Sequence, residues 1–177
     1  MDRPPAGEPS HADRARALVA GARFGALATV ALEPEGHPFA SLVAYVDDGA
    51  GHPVLLLSAL AEHTRNARAD PRASLLVTGD ATAGGDPLAH ERATLLGRLS
   101  PMADETTAPD AGARYLAAHP AAAGYAGLAD FAFFRLLVAS VRYVGGFGRM
   151  GWVDGGTYAR AGAPGESRPS GPGRKSP

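Results

Sequence analysis

From Phe24 to Ala59 the chain reads FGALATVAL, EPEGHP, FASLVAYV, DDGAGHP, VLLLSA: three stretches of strand text separated by two clusters rich in Gly, Pro and Asp. In the first stretch Phe24, Ala26, Ala28, Val30 and Leu32 fall on one side of a two-residue period, the alternation of a strand with one buried face. The last stretch has no polar alternation, which suits a strand covered on both sides. Connections this short cannot hold a crossover helix, so neighbouring strands must run antiparallel. Three antiparallel strands in meander order are expected.

The pattern continues downstream. RASLLVTG, ERATLLGRLSPM and the long FAFFRLLVASVRYV of residues 131–144 read as further strands, about six in all. Antiparallel sheets usually hide their edges by closing, so a small barrel is expected, with helices flanking it. Residues 10–22 form a helix, with Ser10 as N-cap, Asp13 in the first turn, and Ala12, Ala15, Leu18, Val19 and Ala22 on one stripe. LAEHTRNARADP gives a short helix stopped at Asp70-Pro71, and PDAGARYLAAHP a further one between Pro109 and Pro120. The fold class is α+β, a barrel of about six antiparallel strands with flanking helices. One folded domain spans residues 10–153. Residues 1–9, with three prolines and a glycine, are expected to be a loose arm, and residues 154–177, with six glycines and four prolines, a disordered tail. Neither can bury enough apolar surface to offset its ordering entropy.

Several function classes drop out. Gly146, Gly148 and Gly151 in GGFGRMGW have the G-x-G-x-x-G spacing of a dinucleotide cradle. That cradle needs a helix opening at the glycines, and WVDGGTYARAGAPGESRPSGPG shows no helical periodicity. Two readings of the glycines are left: a bend at a barrel corner, or a low-bulk segment that sets Arg149 over a planar anion. A net charge of −1 with dispersed basic residues gives no nucleic-acid footprint. The absence of cysteine removes disulfides, thiolate nucleophiles and zinc–thiolate sites. The six histidines lack metal-ligand spacing, so no metal site is expected, and no G-x-S-x-G elbow marks a serine hydrolase. No apolar run reaches bilayer-spanning length and the N-terminus lacks a signal-peptide layout, so a cytoplasmic protein outside the membrane is expected.

The junction LLLSALAEHTRNARADP carries the chemistry. Ser58 ends a strand, and His63, Thr64, Arg65 and Asn66 lie just beyond it at the start of a short helix. Free N–H groups, the positive end of the helix dipole and a guanidinium together make an anion site suited to phosphate. The alternative is that Ser58 caps the helix, Arg65 and Asn66 face water and His63 packs against the sheet. Ser41 is a hydroxyl inside a strand, on the face of Phe39, Val43 and Tyr45, and needs a partner in the backbone or in a ligand.

ASLVAYV, LLLSALAEHTRNARADPRASLLV, TLLGRL and YVGGFGRMGW, in this order, resemble the pyridoxamine 5′-phosphate oxidase-like FMN-binding split-barrel family, nearest its HugZ-type haem-utilisation branch. The resemblance covers about residues 10–153. It implies a split β-barrel and a homodimer with FMN in a groove between subunits. Ser41, Ser58, His63, Thr64, Arg65 and Asn66 match the positions that hold the cofactor, and Arg149 faces its cleft. The implied activity is that of an FMN-dependent oxidoreductase acting on a small-molecule substrate; a haem-binding or haem-degrading protein, or a non-catalytic flavin module, is the alternative. The cofactor alternatives to FMN are haem and the deazaflavin F420. Two features depart from the pattern: there is no arginine-rich end like that of the vitamin B6 oxidases, and no histidine occurs after His119, where haem-degrading relatives supply an iron ligand.

Overall fold

The computed structural model describes residues 8–79, 86–102, 109–146 and 148–162. Helix α1 (His11–Gly21) starts on a reciprocal capping box: Ser10 Oγ accepts from the Asp13 N–H, and the Asp13 carboxylate accepts from the Ser10 N–H at 2.9 Å. Its buried stripe, Ala12, Ala15 and Val19, packs into the main core. The chain then runs β1 (Phe24–Val30), β2 (Pro38–Ala44), β3 (Val46–Asp47), β4 (Pro53–Ser58), α2 (Glu62–Ala69), β5 (Arg72–Thr78), β6 (Glu91–Pro101), α3 (Pro109–Ala118), β7 (Phe131–Gly145), β8 (Met150–Asp154) and α4 (Gly155–Arg160). All strands pair antiparallel in one sheet of order β2-β1-β5-β6-β7-β4-β3, with β8 also on β7.

The α+β class holds, and the described residues carry eight strands rather than about six. The meander order does not hold. Among the described residues β2 pairs only with β1, while β4 lies across the sheet on the first part of β7. The reason is visible in β4 itself. Leu55 and Leu57 enter the main core, whereas Val54 and Leu56 pack with Ala111 and Tyr115 of α3 in a second cluster. A strand apolar on both faces needs cover on both, which α3 provides here. Helix α2 then returns the chain to β5, beside β1.

The region beyond residue 153 also differs from expectation. Asp154 caps α4 through the Thr157 N–H at 2.9 Å, and Tyr158 is fully buried in the main core. A single aromatic with a capping aspartate anchors this glycine-rich stretch, which its composition concealed. The rest of the expected tail, from residue 163, and residues 1–7 of the expected arm lie outside the described residues. Gly146 and Gly148 lie in the β7–β8 turn, with φ of +88° and +78°, while Gly145 ends β7 and Gly151 lies in β8. They lead into a strand, so the dinucleotide cradle is excluded by strand–turn–strand geometry, and α4 begins only after β8.

Candidate functional site

Helix α2 packs against β1 and β2, and its first turn stands next to the end of β4. This brings Ser41 and His63 together, with Ser41 Oγ 3.1 Å from His63 Nδ1. The His63 ring is half-buried, and burial holds its pKa below the ordinary histidine value, so the neutral imidazole dominates at pH 7. Helix α2 opens at Ala61, which has no side-chain cap. The Ala61 carbonyl accepts from the Thr64 and Arg65 N–H groups, while the N–H groups of Glu62 and His63 make no hydrogen bond among the described residues. Two free donors at the positive end of a helix dipole are an anion-receptive feature.

The other predicted donors do not converge there. Ser58 donates to Asp130 Oδ2 at 2.8 Å and accepts from the Leu60 N–H at 3.1 Å, so its proton is engaged by a carboxylate and it does not cap α2. Arg65 is exposed and ion-paired with Glu62 one turn back. Thr64 is fully buried, with Oγ1 lacking a hydrogen-bond partner among the described residues. Asn66 is fully buried and structural: its amide donates to Thr29 Oγ1 at 3.2 Å and its carbonyl accepts from the Leu32 N–H at 3.1 Å. It ties α2 to β1 and to the loop after it. Replacing Asn66 with alanine strands that N–H and should cost about 1–3 kcal/mol in chemical denaturation. Ligand affinity of the protein that remains folded should be unchanged, which separates a clamp from a contact.

Arg149 is not brought to this site within one chain. β4 meets β7 at Phe131–Arg135, whereas Arg149 lies past the opposite end of the same strand, exposed in the β7–β8 turn. Asp130 is the group that sequence reasoning missed. It enters through the pairing of Ser58 with Phe131, far apart in the chain, for which no local spacing gives a signal. The Glu62–Arg65 pair, by contrast, obeys the i, i+3 rule and could have been read. A cavity of about 620 Å³ lies at the C-terminal end of α1 between Leu18, Arg23, Phe24, Gly79 and Glu91, and shares no residue with the α2 site. Among the described residues no group of three or more His, Asp or Glu is arranged to hold a metal ion, and no helix is long and apolar enough to cross a membrane.

An antiparallel sheet of this order, with helices flanking it, defines a split-barrel protein. A family model described as "CREG, beta-barrel" matches residues 6–160, and the chain belongs to that CREG β-barrel family, which has the pyridoxamine 5′-phosphate oxidase-like fold. The chain is similar to a heme binding protein from Mycobacterium smegmatis, at 42% identity and a TM-score of 0.79 over 87% of this chain and 62% of that one. It is 34% identical, over 137 residues, to the non-canonical heme oxygenase HOZ, chloroplastic, of Arabidopsis thaliana, which is 77% of this chain and 41% of that protein. The chain thus spans less than two thirds of either relative's length. The heme storage protein HutZ from Vibrio cholerae shares the fold, at 23% identity and a TM-score of 0.59 over 80% of this chain and 89% of that one.

Proposed function

We propose that this chain binds haem and takes part in haem breakdown. The observation that carries this is the 42% identity to the Mycobacterium smegmatis protein named for heme binding; the Arabidopsis thaliana relative, named a heme oxygenase, supports breakdown as the reaction. The residues at α2 fit such a ligand. Haem presents an apolar macrocycle with two carboxylates, and here exposed Leu60 precedes a helix start with two free N–H groups and a neutral imidazole, while Asn66 of the same helix holds exposed Leu32. Bound haem supplies the iron redox chemistry; the chain supplies apolar cover, anion donors and a histidine.

A flavoprotein is the second reading, an FMN-dependent oxidoreductase, with F420 as a related cofactor. It is favoured by the free N–H pair at the start of α2, which suits a phosphoryl group. The side chains favour haem. With the Arg65 guanidinium already paired with Glu62, a phosphoryl group would find only the two N–H groups, whereas a macrocycle also gains apolar contact with exposed Leu60. In both readings the active form is a homodimer. The outer face of the sheet offers a row of partners, Leu42, Ala26, Leu76, Thr94, Arg142 and Trp152, in which Leu42 is 78% and Trp152 64% exposed. Pairing through this face is what would let Arg149 serve the site of the second subunit.

Titration of the purified protein with hemin should give a saturable, shifted Soret band, lost over time under air with an added reductant. FMN added to the same protein should leave flavin fluorescence unquenched. Quenching by FMN without any hemin-dependent Soret shift would replace the haem reading with the flavin one.

A further inference from the structure

We propose that His63 is the protein ligand to haem iron, through Nε2, and that Ser41 is its positioning residue. The inference rests on the haem reading of the α2 site.

A histidine ligates iron through a nitrogen with a free lone pair, and its ring is usually fixed by a hydrogen bond at the other nitrogen. One of the six histidines fails this requirement by its tautomer, and the others are separated by their surroundings. His52 accepts the Val138 N–H at Nδ1, 3.2 Å away, so its Nε2 carries the proton and offers no lone pair. His119 has Nε2 at 2.9 Å from the Tyr45 carbonyl, with its ring between Tyr115 and Phe24. His11 stacks on Tyr143, with Gly151 against its ring. His37 has Nδ1 engaged as well, 3.4 Å from the Glu35 carbonyl, but it is exposed in the β1–β2 turn, and His90 precedes β6 at the Gly145 end of β7, opposite the Phe131–Arg135 end that meets β4.

His63 meets both conditions. Nδ1 is held 3.1 Å from Ser41 Oγ, and Nε2 makes no hydrogen bond among the described residues. A hydroxyl both donates and accepts, so Ser41 can accept from Nδ1–H, and that tautomer leaves the lone pair on Nε2. The ring is half-buried at the start of α2, three residues after exposed Leu60 and one turn before Asn66, whose carbonyl holds the N–H of exposed Leu32. An apolar macrocycle seated on these leucines would present its iron to the imidazole and a carboxylate edge to the free N–H groups of Glu62 and His63. One protein ligand is enough for haem iron, because the porphyrin supplies four nitrogens.

The test compares hemin complexes of the wild-type protein, His63→Ala, His63→Gln and Ser41→Ala, each first checked for a wild-type circular dichroism spectrum. In the ferrous wild type, resonance Raman should show an iron–histidine stretch. It should vanish in both His63 variants and return as an iron–imidazole mode when imidazole is added to His63→Ala. Ser41→Ala should keep the ligand but weaken hemin affinity about 10-fold. A His63 variant that retains the iron–histidine stretch overturns the assignment and leaves haem binding intact. A wild type that binds no hemin overturns the haem reading as well.

Discussion

Replacing Arg16 with alanine should lower stability by about 3 kcal/mol, at the lower end of what losing one partner of a buried ion pair costs. For a domain of this size that is a fall of roughly 6–12 °C in Tm, read by circular dichroism. The side chain is 9% exposed and so is its partner, Asp47, at 2.8 Å from Nη1. Nη2 donates to the Gly49 carbonyl at 2.8 Å, Nε to the Ala161 carbonyl at 3.0 Å, and the guanidinium lies 5.4 Å from the Tyr158 ring centroid. One side chain therefore joins α1, the turn after β3 and the end of α4. Alanine would leave the Asp47 carboxylate in the same low-dielectric setting, with the Gly49 and Gly51 N–H groups as its remaining donors among the described residues, which is why the lower figure applies. Lysine keeps the charge but cannot reach three acceptors with one ammonium, so Arg16→Lys should fall between wild type and alanine. A loss below about 1 kcal/mol would place the pair among exposed ones that contribute little. Hemin affinity should be unchanged in the folded fraction, because Arg16 shares no contact with the α2 site.

The parts of the fold legible in the sequence are those decided by neighbours. The Ser10–Asp13 box sets the start of α1, and the unbroken apolar run of β4 announces burial on both faces. Which strand β4 joins is not legible, because Leu55, Leu56 and Leu57 would pack as well beside β2 as beside β7; the choice is made by α3, whose Tyr115 and Ala111 cover the second face. The stretch after residue 153 misleads for a related reason. Its composition is that of a tail, yet Tyr158 alone buries enough apolar surface to hold a six-residue helix once Arg16 is there to meet it. At the candidate site the sequence locates the right segment and misleads on its side chains. Proximity of Ser58, Thr64, Arg65 and Asn66 in the chain suggests convergence, whereas helical geometry turns Thr64 and Asn66 inward and Arg65 outward. Of the predicted residues Ser41 and His63 meet, and they come from different elements.

Gly97→Ala is expected to have an effect at least as large, about 3 kcal/mol or more, because overpacking here falls on backbone. β7 changes the phase of its alternation part-way along: Phe134, Leu136 and Val138 are buried, then Val141 and Tyr143. A two-residue period cannot move from even to odd positions without an extra residue. That residue is Ala139, and the β6–β7 register shifts there, between Leu96 and Gly97. The bulge is what lets both halves of β7 face the same core, so that its first half can pair with β4 and its second with β8. Opposite it, a Cβ on Gly97 would stand 2.1 Å from the Leu137 carbonyl oxygen and 3.2 Å from the Val138 Cα. No rotamer change relieves a contact with main chain, so β6 and β7 would have to separate at the centre of the sheet. Gly21→Ala is the control. It lies in the last turn of α1 with nothing within 4 Å of the added Cβ, and should be neutral or stabilising by up to about 1 kcal/mol. Thermal melts of the two variants should therefore diverge by roughly 10 °C or more; coincident melts would mean that the bulge yields without cost and that the glycine is not what permits it.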